Sequence, residues 1–465
     1  MFPGIEDEQF IRGDVPMTKQ EIRILTIAKA HIRPDSVVWD VGAGTGSISI
    51  EAALLAKEGH VYAVERNPEG IHLIGENAAK FGVKYQVAKV GTFKSATEMF
   101  TETKMSDANR LQVSTYLNGL WGNVCKAVSE SRKISIPALN TYADEYQLFA
   151  DAQSLVKKRF VDKLLYADQV KGEVKKLLGI DADESINQVG VTAMCNVRQD
   201  VDTDDGTIAI YYAEGEIVQI APGGMFNNST NIVSKDICKN LEDLKNDDDI
   251  KAVVLRVNSP GGDAYASEQI WHQVTELRKK KPVVVSMGDY AASGGYYMSC
   301  GANWIVAEPN TLTGSIGIFG VFPDLSGLVT EKLGVKFDEV KTNANSAFGN
   351  VAARPFNASE MAMLQGYINR GYATFLNRVS QGRKMSVTNL DKIAQGRVWL
   401  GADALKIKLV DQLGGIKDAV EKAAQLAKIK DYGVSEYPAP ASWQDQLFNS
   451  VVPRNTLDEQ LRLTL

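Results

Sequence analysis

At 465 residues the chain is too long for one hydrophobic core, so two or three domains are expected. Its 44% hydrophobic and 23% charged residues are those of an ordinary soluble globular protein, and a net charge of −6 gives no reason to propose nucleic acid as a partner. Cys125, Cys195, Cys238 and Cys300 lie far apart without a C-x-x-C pair, so neither a metal site nor a disulfide framework is expected. The acidic N-terminus lacks the apolar core of a signal peptide, and no apolar run reaches the roughly 20 residues of a membrane span. As written, the sequence is expected to be soluble and cytoplasmic.

The chain opens with a strand–loop–helix–strand unit. Residues 36–41 read as a strand, Gly42-Ala-Gly-Thr-Gly46 as a glycine loop, residues 48–57 as an apolar-faced helix, and residues 61–65 as a second strand ending in Glu65. Glycines let a backbone approach a ligand closely, and an acid about 20 residues further on can bind ribose hydroxyls. Gly13-Asp-Val-Pro-Met-Thr18-Lys, Asp40-Val-Gly-Ala-Gly-Thr-Gly46 and Glu65-Arg-Asn-Pro together resemble the decarboxylating precorrin methyltransferases of cobalamin biosynthesis. That resemblance implies S-adenosylmethionine as a cofactor, held through Asp40, Gly42, Gly44, Gly46 and Glu65. It stops near Val83. A unit of two strands cannot bury its sheet on both faces, so exposed apolar surface and open sheet edges are expected there.

From Gly82 onward an internal repeat runs through the chain. Gly82-Val-Lys-Tyr-Gln matches Gly334-Val-Lys-Phe-Asp, and Ser131-Arg-Lys-Ile-Ser matches Gly382-Arg-Lys-Met-Ser. The stretch from Ala150-Asp-Ala to Val161-Asp-Lys-Leu matches that from Ala402-Asp-Ala to Val410-Asp-Gln-Leu. The offset is about 250 residues throughout, which indicates a duplicated domain rather than a solenoid. The later copy is whole and begins near Gly206. The earlier copy lacks its first half, and the methyltransferase-like segment stands in that place, joined at Phe81-Gly-Val-Lys. Residues 166–205 read as a lysine-rich surface connector followed by the acidic run that starts at Asp200.

After Gly206 strands and helices alternate, which predicts a parallel sheet flanked by helices. Strands are expected over residues 208–212, 252–257 and 304–307, and helices over 232–244, 265–277, 359–381 and 415–427. Two glycine turns follow successive strands. The first is Asn258-Ser-Pro-Gly-Gly262. The second lies beyond the β-branched run opened by Pro282, which is expected to break at Gly288 and deliver Ser293 to a helix over residues 294–301. Such turns lie side by side at one sheet edge, where one can present a nucleophile and the other N–H donors for an oxyanion.

A serine nucleophile needs a proton acceptor. His31, His60 and His72 lie in the methyltransferase-like segment, and His272 sits two turns into a helix, roughly 15 Å along its axis from the glycine turn. A buried lysine of lowered pKa can replace histidine. The 51 lysines and arginines offer no choice among themselves on composition. Val90-Gly-Thr-Phe-Lys94-Ser-Ala, Leu255-Arg-Val-Asn-Ser-Pro-Gly-Gly262, Ala291-Ala-Ser293-Gly-Gly and Leu312-Thr-Gly-Ser315-Ile-Gly-Ile-Phe-Gly320 resemble the signal peptide peptidase A (protease IV) family over residues 84–465. The resemblance implies duplicated Clp-protease/crotonase-like α/β domains with the first copy incomplete, preceded by the Rossmann-like methyltransferase fragment. It implies a Ser/Lys dyad of Ser293 and Lys94 that cleaves short apolar peptides such as released signal peptides, without a cofactor. Gly261, Gly262 and Gly294 are then the oxyanion donors, and Ser315 a hydrogen-bond partner of the lysine. The expected divisions are residues 1–83, 84–205, 206–430 and 431–465. A homo-oligomer is expected, together with the membrane association of the family on the side away from the cytoplasm, although no anchor is visible here. The competing readings are a precorrin methyltransferase, a crotonase-like enzyme acting on acyl-CoA, and an inactive chimera.

Overall fold

Apolar β-branched runs in the second half of the chain assemble into one eight-stranded sheet. The computed structural model describes residues 4–56, 60–65, 67–80, 84–102, 104–145, 147, 150–195, 205–220, 230–332, 334–343 and 345–438. The join at residues 81–83, the acidic run over 200–204 and the tail beyond residue 438 lie outside the described residues. Two compact units form. One comprises Met1–Gln112, Ala292–Gly301 and Gly314–Val398, and the other Val113–Ala291, Ala302–Thr313 and Trp399–Leu465.

The second unit holds the sheet. Its parallel series runs Gly433–Tyr437, Thr207–Glu214, Ile250–Ser259, Val283–Ala292, Trp304–Ala307 and Gln412–Leu413. Parallel strands are covered on both faces and so need continuous apolar sequence, and Val253, Val254, Leu255, Val283, Val284 and Val285 are all buried. Ala419, Ala423 and Ala424 of the Ile416–Ala427 helix pack on Ile208, Ile210, Val254, Val284 and Val306. Small residues on that helix face let it lie close to the strands. The Ala264–Lys280 helix buries Ile270, Trp271, Val274 and Leu277, and the Asp263 carboxylate caps it by accepting from Ala266 N at 2.7 Å.

One strand departs from its expected end. The run after Pro282 does not break at Gly288 but continues to Ala292. Asn258 explains the continuity. Its side chain fills the space beside Gly288, where any Cβ would meet it at 3.1 Å, and its Oδ1 accepts from Tyr290 N at 3.1 Å. The irregular register between Val257 and Ser259 is thereby bridged, and Ser259 pairs with Ala291. The two strand ends therefore lie side by side, as the sequence pattern implies.

The duplication is visible in local geometry. Asp107–Arg132 and Ala358–Arg383 are both 26-residue helices. Each is followed by a lysine at φ 54°, Lys133 and Lys384, and then by a serine that caps the next helix, Ser135 on Ala138 N and Ser386 on Asn389 N. In the later copy Phe375, Leu376 and Val379 of the long helix are buried. In the earlier copy Cys125, which matches Leu376, is buried, whereas Val124, which matches Phe375, is exposed together with Trp121 beside a cavity of about 300 Å³ that Val128, Tyr142 and Phe160 also line.

In the first unit, the strands Val37–Val41 and His60–Val64 pair in parallel and form a two-stranded sheet. Arg23, fully buried between Asp7 at 2.6 Å and Glu51 at 2.9 Å, ties this segment together. One sheet face is bare: Trp39 is 61% and Val41 77% exposed, and the Trp39 ring stacks on Tyr62 at 4.5 Å. A sheet of two strands among the described residues has no neighbours to cover that face. Beyond the join, the Lys84–Lys89 strand pairs antiparallel with Phe319–Asp324. The side chain of Gln86 also makes two hydrogen bonds with the backbone of Phe356. No described helix is long and apolar enough to cross a membrane.

Candidate active site

Ser293 follows the last residue of the Val283–Ala292 strand and precedes the short helix Gly294–Ser299. Its backbone adopts φ 54° and ψ −118°, a conformation an L-residue holds only when its surroundings enforce it. Two hydrogen bonds do so: Ser293 N donates to Gly314 O at 2.9 Å, and Tyr297 N donates to Ser293 O at 2.9 Å. The helix is buried along its length. Tyr297 packs on Phe375 at 4.4 Å between ring centroids, and Gly382 meets Cys300 O so closely that a Cβ there would stand 1.8 Å from the oxygen. Gly294 and Gly295 head the helix, where the first N–H groups have no partner within it.

Lys94 reaches the same place from the loop after Lys84–Lys89. Its Nζ lies 3.1 Å from Ser293 Oγ, 3.0 Å from Ser315 Oγ and 3.2 Å from Ser315 O, with the Phe319 ring centroid at 5.6 Å. Lys94 is 5% exposed. Burial alone pushes its amine down from the ordinary 10.5 to about 8. A buried amine of that pKa is largely charged at pH 7 and increasingly neutral above pH 8. In the neutral form it can accept the Ser293 hydroxyl proton. Ser315, at φ 48°, is held by its N donating to Arg397 O at 2.7 Å and its Oγ donating to Gly396 O at 3.3 Å.

Residues 395–397 form a wall behind this pair that sequence reading did not single out. Phe93 N donates to Gln395 O at 2.9 Å, so the wall carries the Lys94 loop as well as Ser315. Gly396 has φ 76°, and a Cβ there would stand 2.7 Å from Lys94 Cβ and 2.8 Å from Lys94 N. The repeat held the available signal: about 250 residues earlier, the matching Ala143-Asp-Glu145 has no glycine. Gly396→Ala is expected to destabilise the protein by about 2 kcal/mol and to displace Lys94. Thermal unfolding and hydrolysis rate, measured together, check this. An unchanged melting temperature with full activity would count against the wall.

The other sequence candidates are placed as follows. Gly261 and Gly262 lie in the second unit and turn against the Glu216–Val218 strand, where a Cβ on Gly262 would stand 2.1 Å from Ile217 O. His272 is exposed on the Ala264–Lys280 helix of that unit. In the N-terminal segment, Gly42, Gly44 and Gly46 all have positive φ, 79°, 57° and 78°. Glu65 accepts from Gly44 N and from Asn67 N, both at 2.8 Å, and Asp40 accepts from Ser49 Oγ at 2.6 Å. Lys94, Ser293 and Ser315 therefore come together within one unit, with Gly294 next in the chain.

Comparison with known proteins gives two kinds of match. The model of peptidase family S49 matches residues 275–430, and a Clp protease model matches residues 224–311. A precorrin methyltransferase domain model matches residues 9–152. Protease 4 of Salmonella typhi is 36% identical over 390 residues, covering 80% of this chain and 60% of that protein. A protein named as a protease in Synechocystis sp. is 34% identical over 212 residues, covering 46% of this chain and 74% of that protein. A protein named as a cobalt-precorrin-6B C(15)-methyltransferase (decarboxylating) in Sulfolobus acidocaldarius is 50% identical over 84 residues, 18% of this chain and 44% of that protein. The chain thus spans 60% of the length of the Salmonella protease.

Proposed function

The chain belongs to peptidase family S49, and on that premise we propose that it is a serine peptidase in which Ser293 is the nucleophile and Lys94 the general base. The observation that carries the proposal is the 3.1 Å approach of Lys94 Nζ to Ser293 Oγ inside a buried site where the amine is pushed down to about 8. In the reaction, neutral Lys94 takes the hydroxyl proton as Ser293 Oγ attacks the scissile carbonyl, and an acyl-enzyme forms. The proton passes from Lys94 to the leaving amine, and water then releases the acyl group by the reverse transfer. Ser315 holds the lysine amine towards Ser293. The N–H of Gly294, next in the chain to Ser293, is assigned to the oxyanion. The substrates are assigned as short apolar peptides such as released signal peptides, an assignment that the exposed Phe319 ring beside the amine favours. A fluorophosphonate probe tests the reading on the intact chain, because it labels an activated serine. Labelling at Ser293 is the expected result, and an unlabelled Ser293 in folded protein would oppose it.

The N-terminal segment is assigned a partial S-adenosylmethionine cradle. A Cβ on Gly42 would meet no atom within 4 Å, so the loop leaves room for a ligand, and Glu65 stands at the end of the neighbouring strand. Asp40, Gly42, Gly44, Gly46 and Glu65 would hold the cofactor, which supplies a methyl group when bound. Both Glu65 oxygens already accept backbone N–H groups, so weak binding is expected. Among the described residues, the sheet of the N-terminal segment has two strands and none beyond them to build a substrate-binding half. The purified chain is therefore expected to transfer no labelled methyl group to a precorrin, and measurable transfer would overturn this.

A further inference from the structure

A buried glutamine stands one step behind the lysine. Gln112, 3% exposed, lies on the Asp107–Arg132 helix within the first unit. Its Nε2 donates to Phe93 O and to Ser95 Oγ, both at 3.0 Å, and so grips the chain on either side of Lys94. Its Oε1 accepts from Val398 N at 3.3 Å, the residue after the Gln395–Arg397 wall that holds Ser315. One amide therefore joins the loop carrying the base to the segment carrying the base's other partner. The clamp is itself braced. Asn109 Oδ1 lies 3.2 Å from Gln112 Nε2, and Asn109 Nδ2 donates at 3.0 Å to the buried carboxylate of Glu98. The repeat gives an internal control, because the matching position of the later helix is Met363, which is exposed. A glutamine here is thus not something this helix needs in order to pack. It occurs in the copy that carries Lys94.

We propose that Gln112 is a positioning residue for the general base, fixing how far Lys94 reaches towards Ser293. The proposal rests on the Ser293–Lys94 reading. Among the described residues no carboxylate is bonded to the amine, so its reach and its dryness depend on the two loops staying closed. With the clamp removed, the Lys94 loop separates from the wall, the amine gains water, and the distance to Ser293 Oγ spreads. A misplacement of about 1 Å in a reacting group can cost roughly a hundredfold in rate, so a tenfold loss in kcat is a conservative expectation. Gln112 bonds only to groups of the Lys94 loop, the Asn109 side chain and Val398, none of them assigned to substrate, so KM should change little.

The test uses the full chain carrying Gln112→Met, which keeps volume and burial but loses both ends of the clamp. Expected are a kcat about tenfold or more below the parent and a KM within about twofold. The midpoint of the Lys94 titration should also rise towards 10.5, read by NMR on chain labelled at lysine Cε and assigned through its loss in Lys94→Met. If Gln112→Met does not fold, Gln112→Asn carries the test, because it keeps the amide but is too short to span the two loops. A folded variant with unchanged kcat and an unmoved Lys94 midpoint overturns the proposal. So does a fall in activity that tracks the melting temperature while the Lys94 midpoint stays in place, since that marks a merely structural residue. A parent chain that hydrolyses nothing counts against the peptidase reading, and the NMR midpoint still decides the role of Gln112.

Discussion

Ser293→Ala is expected to lower peptide hydrolysis by about 10⁴-fold or more, to the level of background, while leaving the fold intact. The loss follows from chemistry, because without Oγ no acyl intermediate forms and Lys94 has no proton to accept. The intact fold follows from the backbone. Ser293 is held at φ 54° by bonds from its own N–H and to its own carbonyl, and alanine keeps both. Alanine bears a Cβ as serine does, so the strain of the position is unchanged, and the melting temperature should move little. His272→Ala provides the contrast. That side chain is exposed on a helix of the other unit, and its removal should leave the rate within a fewfold of the parent. Steady-state hydrolysis of an apolar peptide, with fluorophosphonate labelling on the same samples, measures all three proteins. Hydrolysis surviving in Ser293→Ala would sink the assignment, whatever the probe labels.

Much of the framework was legible because it is written in local pattern. The β-branched runs gave the parallel strands of the second unit, and the glycine turn after Asn258 and the serine turn at Ser293 lay at the ends of two of them. The repeat was legible as well, down to the serines that cap Ile136–Asp144 and Val387–Ile393. What sequence could not supply was the meeting of distant groups. Lys94 and Ser293 are 199 positions apart, and Lys94 was singled out only through a family motif. The repeat marks Gly396 as a glycine that its counterpart lacks, but not that the missing side chain makes room for Lys94, since that requirement is set by a loop distant in sequence. Gln112 was hidden for the same reason. The strand running past Gly288 was misread because a side chain, Asn258, completes a ladder that glycine alone would break. The bare face around Trp39 and Val41, by contrast, follows directly from counting strands.

Lys94→Met is expected to abolish hydrolysis and at the same time to make the protein more stable. Lys94 is buried, its amine is pushed down to about 8 from 10.5, and desolvation is the cause. Below pH 8 the amine is protonated in both folded and unfolded chains, and holding that charge in a dry site costs about 3 kcal/mol. Between pH 8 and 10.5 the folded chain sheds the proton first and the unfolded chain binds more, so stability rises with pH and the penalty fades. Methionine carries no such penalty, although it leaves Ser315 Oγ without one partner, and a net gain of about 1–3 kcal/mol at pH 7 is expected. The gain should shrink as pH approaches 10.5, which separates the removal of a buried charge from a simple packing effect. Activity follows the same equilibrium in the opposite sense. Only the neutral amine accepts the Ser293 proton, so kcat/KM of the parent should climb through about pH 8 and level off above it. Lys94→Arg should be as inactive as Lys94→Ala, because guanidinium remains charged with a pKa above about 12. Denaturation curves at pH 7 and pH 10, paired with a pH–rate profile, decide the matter. Full hydrolysis in Lys94→Met with loss in His272→Ala would move the base to histidine, and a Lys94→Met protein less stable than its parent at pH 7 would mean that the buried amine is better solvated than its surroundings indicate.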